Sequence, residues 1–388
     1  MRVVQFGKTA AATTSTDPRL SISLVFRKIS KSASIHTQIA LLFASVILLP
    51  LSAIGLRAQD SDHVPDITSI VVLGDSLSDT GNVAHLTELK YGVRIPGPVG
   101  DYTDGRFTDG YDTLPPAQNY FGVWIEQLAA SMPSKPEVKD SLDGGTDYAY
   151  GFATTGKGTG LFTFGPSNSL SVNVDNIGQQ ITNYLSKHPK ISDKTLFVVW
   201  GGAIDVLYTT SSQAVIEAGV NQTLNIERLI KAGGTRFIVP NLPPLGLVPR
   251  LNGSPTTSIP ATEASALYNT VLTDGLRLLR EAYRHKHLHL SQLDVFALFN
   301  KIVAAPGKYS LANITASSQG AAVDPDSYLF WDDLHPTTRG HNILALTAAE
   351  ILERSDCQHG FALALNGFEN ENSGWCGESA VGLVGAGH

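Results

Sequence analysis

Two short segments near opposite ends of the 388-residue chain carry the side chains best suited to nucleophilic catalysis. The first, residues 74–82, reads GDSLSDTGN and follows a candidate strand, Ile67 to Leu73. A serine where a buried strand meets a turn is exposed at the carboxyl edge of a sheet, and a preceding glycine lets the backbone turn tightly. We therefore predict Ser76 as a nucleophile whose own N–H can point at an oxyanion. The alternative is an ordinary turn that caps a helix.

The second segment, residues 331–337, reads WDDLHPT and offers the groups that a serine nucleophile needs. An attacking hydroxyl requires a base, and the base requires a partner that holds its tautomer. We predict His335 as the base and Asp332, three residues earlier, as its partner. Asp333 is the competing acid, but its one-residue offset should turn its side chain away. His341, farther along, is expected to be a packed or surface residue.

Short apolar runs alternate with helical patterns from Pro65 onward, which predicts an α/β domain over residues 65–356. The predicted strands are residues 67–73, 195–200, 236–239 and 288–296, and the predicted helices are residues 214–231, 261–286 and 341–354. Continuous apolar strands separated by helices indicate a parallel sheet covered on both faces. Ligands bind beyond the carboxyl ends of such strands. The Gly- and Pro-rich stretch 101–118 is expected to form a long loop near that edge.

Together with four intervening segments, these two segments resemble blocks of the SGNH, or GDSL-type, hydrolase superfamily. The intervening segments are residues 105–110 (GRFTDG), 123–126 (VWIE), 145–151 (GTDYAYG) and 239–246 (VPNLPPLG). The chain is most similar to fungal GDSL-type acetylesterases, carbohydrate esterase family sixteen, over roughly residues 67–353. The resemblance implies a three-layer α/β/α, flavodoxin-like fold with a central parallel sheet. It also implies a triad of Ser76, Asp332 and His335, an acyl-serine intermediate, and no metal or organic cofactor.

The resemblance further implies three donors to the oxyanion of an ester: the N–H of Ser76, a glycine N–H and an asparagine side chain. Gly151 is the predicted second donor, although relatives usually carry another glycine where Phe152 stands. Ile204, in the run GAID at 202–205, occupies the asparagine position and has no side-chain donor. Losing one such donor typically lowers kcat about 10²–10³-fold.

Two hypotheses follow from this departure. The enzyme works with a weakened oxyanion hole or with a replacement donor, for which Thr154, Thr155 and Asn82 are candidates. Alternatively, the chain is a degenerate paralogue that binds acylated glycan or lipid. The retained Ser76, Asp332 and His335 favour an enzyme, because a binding protein has no chemical need for that trio.

Substrate choice follows from the resemblance alone, which suggests acetyl esters on plant cell-wall carbohydrates. A lipase or phospholipase is the alternative. A large exposed apolar rim would favour lipid, whereas aromatic platforms with polar neighbours would favour sugar. Tyr102, Tyr111, Tyr120 and Trp124 are candidates for either surface, although Trp124 is expected in the core. The net charge of -7 gives no general attraction to nucleic acid.

The first 58 residues carry a targeting signal. A basic lead precedes an apolar run, residues 39–56, without a charged residue. This pattern predicts a signal peptide cleaved after Ala53 or Ala58, and hence a secreted protein. A run of this length is also compatible with an uncleaved membrane anchor.

Two cysteines, Cys357 and Cys376, lie near the C-terminus of the chain. In an exported protein this pair predicts one disulfide that tethers a tail, residues 357–388; two buried free thiols are the alternative. Glycosylation sequons begin at Asn221, Asn252 and Asn313, although Pro255 weakens the second.

Overall fold

The computed structural model describes residues 67–110, 121–209 and 211–364, and the structural statements that follow refer to these ranges. The strands are β1 Ser69–Gly74, β2 Thr159–Phe164, β3 Leu170–Asp175, β4 Thr195–Trp200, β5 Arg236–Pro240, β6 His289–Leu293, β7 Asn313–Ser317 and β8 Tyr328–Phe330. The helices are α1 Asn82–Tyr91, α2 Trp124–Ser131, α3 Ile177–Lys187, α4 Ala203–Leu207, α5 Ser212–Lys231, α6 Pro249–Asn252, α7 Pro255–Ala282, α8 Val295–Ala304 and α9 Thr338–Ala364.

A parallel sheet in the order β1-β4-β5-β6 forms the centre of the described fold. Its register places Gly74 opposite Trp200 and Phe197 opposite Phe237. Every residue of β4 and β5 is buried, so both faces of the sheet are covered. Helices α3, α4, α5 and α7 pack on one another, and α2 packs on α9. This three-layer arrangement confirms the predicted α/β fold class with a central parallel sheet.

Element boundaries differ from prediction where side-chain caps intervene. Strand β4 begins and ends at the predicted residues, whereas the predicted strand 288–296 is divided between β6 and α8. The division falls at Asp294, whose carboxylate accepts a hydrogen bond from Ala297 N at 3.0 Å and so caps α8. Helix α9 continues to Ala364, past residue 356, and the predicted domain bounds 65–356 stay a prediction.

An antiparallel hairpin of β2 and β3 was not among the predicted strands. Its residues belong to a smaller apolar cluster, in which Phe164 and Val174 pack with Val83 and Phe107. Leu161 stays 51% exposed at the outer edge of this hairpin. The strands are only six residues long and mix glycine, threonine and asparagine with apolar residues, so their periodicity is weak.

Several sequence predictions fall outside the described residues: the leader 1–58, Tyr111, Tyr120 and Cys376. Cys357 lies within α9, and its predicted disulfide stays a prediction. Among the three sequon asparagines, Asn221 is exposed on α5, while the Asn252 side chain donates to Leu247 O and Thr315 O. Asn313 Oδ1 accepts from the N–H groups of Thr315 and Ala316. In the described ranges, no helix has both the length and the hydropathy to cross a membrane.

Candidate active site

The segment that carries Ser76 begins at the carboxyl end of β1, where two backbones approach closely. A Cβ at position 74 would lie 2.6 Å from Trp200 O, so only glycine allows this approach. The turn that follows is closed by Ser78 N and Asp79 N, both of which donate to Asp75 O at 3.1 Å. Ser76 therefore lies at the sheet edge where the sequence predicts it.

Ser76, His335 and Asp332 form a continuous chain of hydrogen bonds. Ser76 Oγ lies 2.9 Å from His335 Nε2, and His335 Nδ1 lies 2.7 Å from Asp332 Oδ2. The serine and the histidine are 259 residues apart in the chain. The structure thus brings together the three residues that the sequence predicts as a triad.

The Asp332 carboxylate accepts hydrogen bonds at both oxygens. Oδ1 accepts from Leu334 N at 2.8 Å and His335 N at 2.7 Å, and Oδ2 accepts from Tyr102 Oη at 2.9 Å besides the imidazole. Burial raises the pKa of this carboxyl, but the charge of His335 and these donors outweigh burial and hold the pKa well below its usual range. Asp332 is therefore ionised whenever the imidazole must be oriented.

Asp333 points away from the imidazole, as its offset predicts. Its carboxylate forms a two-pronged ion pair with Arg250, at 2.9 Å to Nε and 2.8 Å to Nη2, and both side chains are partly exposed. Asp333, the competing acid, is therefore bound to Arg250 at the surface.

His341 is fully buried, its Nδ1 accepts a hydrogen bond from Trp124 N at 3.2 Å, and burial lowers its pKa to about 3. It is a packed residue, and so is Trp124, which is 0% exposed.

A short segment, residues 102–109, holds the loop that carries His335. The Phe107 ring lies 5.0 Å from the imidazole, centroid to centroid. Thr108 Oγ1 donates to Pro336 O at 3.1 Å, and the Asp109 carboxylate accepts from both N and Oγ1 of Thr338, where α9 begins. The sequence resemblance marked part of this segment as a family block. The sequence of the segment gave no indication that its side chains bind the histidine loop and the start of α9.

The prediction that Gly151 supplies the second oxyanion donor is wrong, because its N–H is bound within the protein. Its N–H donates to Asp79 Oδ2 at 2.8 Å and is therefore unavailable to a substrate. The next residue, Phe152, has φ +72°, in the left-handed region that glycine favours. Phe152 N and Ser76 N donate to no acceptor within the described part of the chain, and both residues line the cavity in front of the triad. A glycine at position 152 would adopt this conformation without strain.

Ile204, at the asparagine position, is 8% exposed and lines the same cavity, so an alkyl group stands where an amide donor is expected. Two of the candidate replacement donors already donate their hydrogen bonds to other groups of the protein. Asn82 Nδ2 donates to Asp147 O and Ala149 O, and Thr155 donates to Asp205 through both N and Oγ1. Thr154 N donates to Asn176 Oδ1, and this threonine is not among the cavity-lining residues.

Two buried carboxyl groups, those of Asp75 and Asp79, lie close to Ser76 in the sequence. Asp75 accepts from Leu77 N at 3.1 Å through Oδ1, but its Oδ2 has no hydrogen-bond partner among the described residues. Burial raises its pKa to about 7, against the lowering effects of the Leu77 N–H and the His335 charge. Asp79 accepts four N–H groups, including those of Gly81 and Gly151, yet burial still raises its pKa to about 6.

The cavity in front of Ser76 has a volume of about 400 Å³ and a mostly apolar lining. Its outer wall includes Tyr208, which is 63% exposed, together with Phe152 and Phe162. Its inner wall is formed by buried apolar side chains: Leu245, Val248, Val295, Phe299, Phe330 and Leu344. The lining of the cavity thus combines exposed side chains, Ser76 and buried side chains of the apolar core. Within the described ranges, no group of three or more His, Cys, Asp or Glu side chains is arranged to hold a metal ion.

Comparison with known proteins places this geometry in a family. The profile of the family described as GDSL-like Lipase/Acylhydrolase matches residues 70–347. A thermolabile hemolysin of Vibrio parahaemolyticus is 24% identical over 324 residues, which cover 77% of this chain and 66%, just under two thirds, of that protein. A phosphatidylcholine-sterol acyltransferase of Aeromonas hydrophila is 25% identical over 352 residues, which cover 78% of this chain and 95% of the relative.

Among solved structures, the acetylxylan esterase Axe2 of Geobacillus stearothermophilus is 12% identical and has a TM-score of 0.38. The match covers 74% of this chain and 95% of that one. The family profile covers well over half of the residues and includes Ser76 and His335. The chain therefore belongs to the GDSL-like lipase/acylhydrolase family of ester-bond hydrolases.

Proposed function

We propose that this protein hydrolyses carboxylic esters through an acyl-serine intermediate at Ser76, with His335 as general base and acid and Asp332 as its orienting partner. The observation that carries the proposal is the unbroken chain of hydrogen bonds, 2.9 Å from Ser76 Oγ to His335 Nε2 and 2.7 Å from His335 Nδ1 to Asp332 Oδ2. A catalytic base must lie within hydrogen-bonding distance of the proton that it removes, and this base does.

The reaction has two halves. In the first, His335 Nε2 takes the proton of Ser76 as Oγ bonds to the ester carbonyl carbon, and the carbonyl oxygen becomes an oxyanion. The tetrahedral intermediate collapses, the ester C–O bond breaks, and the alcohol leaves with the proton from His335. In the second half, water gives a proton to the same nitrogen and attacks the acyl-serine. The acid is released, and Ser76 regains its proton.

The oxyanion in this proposal is held by two backbone donors, Ser76 N and Phe152 N. Both are free of other acceptors in the described structure, and both residues border the cavity. The third, side-chain donor is absent because position 204 is an isoleucine. A hole with two donors in place of three lowers kcat by about 10²–10³-fold relative to a complete one, so the enzyme works slowly rather than not at all.

The acyl group in this proposal is an apolar chain longer than acetyl. An acetyl group needs only the space next to Ser76, whereas the apolar cavity continues to Val295 and Phe299, which are 0% and 4% exposed. Burial of each further methylene contributes about 0.8 kcal/mol. The name of the Aeromonas relative, a phosphatidylcholine-sterol acyltransferase, also favours the acyl groups of lipids over acetyl groups.

The acetylesterase of plant cell-wall carbohydrates, which the sequence resemblance suggests, is the alternative substrate assignment. One of its candidate sugar platforms, Trp124, is buried, and the hydroxyl of another, Tyr102, is bound to Asp332. A degenerate binding paralogue is disfavoured because the serine, histidine and aspartate are in bonding contact, which binding alone does not require.

The deciding experiment measures kcat/KM on p-nitrophenyl esters from acetate to dodecanoate, with Ser76→Ala as the control. We expect activity to rise from acetate toward the medium-chain esters and to disappear in the variant. Activity that survives in Ser76→Ala would reject the nucleophile. A maximum at acetate would reject the apolar acyl group but leave the nucleophile intact.

A substitution in the inner wall sharpens this experiment. Val248→Phe fills the inner cavity, so kcat/KM on decanoate should fall about tenfold relative to acetate, because the chain loses buried contacts. Val303→Phe, at a 41% exposed position on α8, is the matched control and should leave the ratio unchanged. An unchanged ratio in Val248→Phe, with the fold intact by circular dichroism, would place the acyl chain elsewhere.

Export is a further part of the proposal and is supported by the sequence of residues 1–58. Sequencing the N-terminus of protein recovered from the culture medium tests it, and a new N-terminus at residue 54 or 59 is expected. Protein that stays with the membrane fraction and keeps its leader would instead support the anchor.

A further inference from the structure

We propose that Tyr102 is a positioning residue of the catalytic machinery, acting on His335 through Asp332; this inference rests on the proposed function. The phenol donates a hydrogen bond to Asp332 Oδ2 at 2.9 Å, and this oxygen also accepts from His335 Nδ1. The triad therefore continues into a fourth side chain, which lies 230 residues from the aspartate in sequence.

Without the phenol, the Asp332 carboxylate would lose one of the groups that fix its orientation. Its Oδ1 is held by two backbone N–H groups, but Oδ2, the oxygen that faces the imidazole, is held against rotation only by side chains. A second donor at Oδ2 restricts the carboxylate to one orientation. It also spreads the negative charge, because a hydrogen bond to an ionised acceptor stabilises the charged form.

Tyr102 is itself held in place by its neighbours. The phenol ring meets the Trp331 ring edge to face, with centroids 6.1 Å apart, and Trp331 N donates to His335 O at 2.8 Å. The backbone of Tyr102 forms a bridge with Asp109, whose carboxylate binds the first residue of α9. The phenol is thus presented by a segment that contacts the histidine loop at several other points.

The pKa of Tyr102 agrees with a donor role. Burial raises it first, and the nearby Asp332 charge raises it further, so the phenol keeps its proton over the range in which an esterase works. A phenol that never ionises in this range can only donate to the carboxylate. Its contribution is therefore constant with pH, and changes in the pH profile after its removal report on the imidazole.

The test is Tyr102→Phe, which removes one oxygen and keeps the ring. We expect kcat/KM on the best p-nitrophenyl ester to fall about 3- to 10-fold, the effect of one hydrogen bond. The acidic limb of the pH profile should move up by about half a pH unit, because an unshared Asp332 charge holds a proton on the imidazole more tightly. Asp75 and His341, the other groups whose charges reach the imidazole, are unchanged.

Tyr283→Phe is the matched control. Its phenol also donates to a buried carboxylate, Glu227 Oε1, at the same 2.9 Å, but at the far end of α7. The control should lose stability without any change in the acidic limb. If Tyr102→Phe keeps the wild-type rate and limb, or loses rate and thermal stability with the limb unmoved, the positioning role is overturned. Ser76→Ala is measured in parallel, so loss of the proposed function is distinguished from loss of this inference.

Discussion

The two sides of Ser76 differ in how completely they are built. On the proton-transfer side, the Asp332 carboxylate accepts four hydrogen bonds and the imidazole packs against Phe107. On the oxyanion side, the Gly151 N–H is taken by Asp79, and an isoleucine occupies the position of the side-chain donor. Several hydrogen bonds and ring contacts fix the side chains on the proton-transfer side. On the oxyanion side, only backbone N–H groups are available as donors.

This contrast indicates which losses a hydrolase of this kind tolerates. Removing a member of the serine–histidine–aspartate triad should lower kcat by several orders of magnitude, because the serine is then poorly activated. Removing one oxyanion donor slows it, because the backbone donors remain. Substitutions on the two sides should therefore change kcat by different amounts. At position 204, a substitution that adds a donor should raise kcat instead of lowering it.

The largest expected effect comes from Asp332→Asn on the proton-transfer side. The amide cannot accept from every donor and favours the wrong imidazole tautomer, so kcat should fall about 10³–10⁴-fold. Asp333→Asn is the neighbouring control and should change kcat less than about threefold, since its exposed ion pair with Arg250 contributes little. Comparable losses in the two variants, measured by steady-state kinetics, would show that the assignment of the partner acid is wrong.

On the oxyanion side, we expect a substitution at position 204 to raise kcat. Ile204→Asn returns an amide donor to the cavity wall, and kcat should rise about tenfold or more on the preferred ester, with a smaller change in KM. Ile204→Val is the control, because it changes the shape of the wall without adding a donor, and it should give no gain. An asparagine variant that folds but turns over no faster would mean that a third donor is already present.

The smallest effect concerns stability rather than rate. Because burial raises the pKa of Asp75 to about 7, the folded chain binds a proton near pH 5 that the unfolded chain has lost. The contribution of this group to stability is therefore fully present at low pH and is lost as the pH rises toward 7 and beyond.

Asp75→Asn should remove this dependence. Between pH 5 and pH 8, the free energy of unfolding of the wild type should fall by about 2 kcal/mol more than that of the variant. Urea unfolding at the two pH values measures the difference, with the exposed Asp333→Asn as a reference that should follow the wild type. Parallel pH dependence in Asp75→Asn would indicate that this carboxyl is ionised throughout.

Ser76, Asp332 and His335 could be singled out from the sequence because each lies in a segment with a strong local signature. Ser76 follows a buried strand and a glycine, and Asp332 precedes His335 by one turn, so backbone geometry over a few residues sets their exposure and pairing. Strand β4 was equally easy to predict, since five consecutive apolar residues, Leu196 to Trp200, are followed by two glycines and allow few alternatives. These features depend on neighbours in the chain.

The oxyanion donor and the role of Tyr102 could not be predicted in the same way. Whether the N–H of residue 151 or 152 faces the cavity depends on Asp79, a buried acceptor more than 70 residues earlier. Likewise, Tyr102 has no local feature that distinguishes it from Tyr111 or Tyr120. Its hydrogen bond to Asp332 exists only because the fold brings two distant loops together.

What the sequence alone determined about this protein is therefore its fold class and the choice of Ser76, Asp332 and His335 as the candidate triad, since these follow from patterns within single segments. The tertiary structure decided which backbone N–H groups are free, how deep the apolar cavity runs, and which tyrosine meets the triad. The physical reason is that hydrogen-bond donors and cavity walls are shared between segments distant in sequence, so their availability depends on how those segments pack.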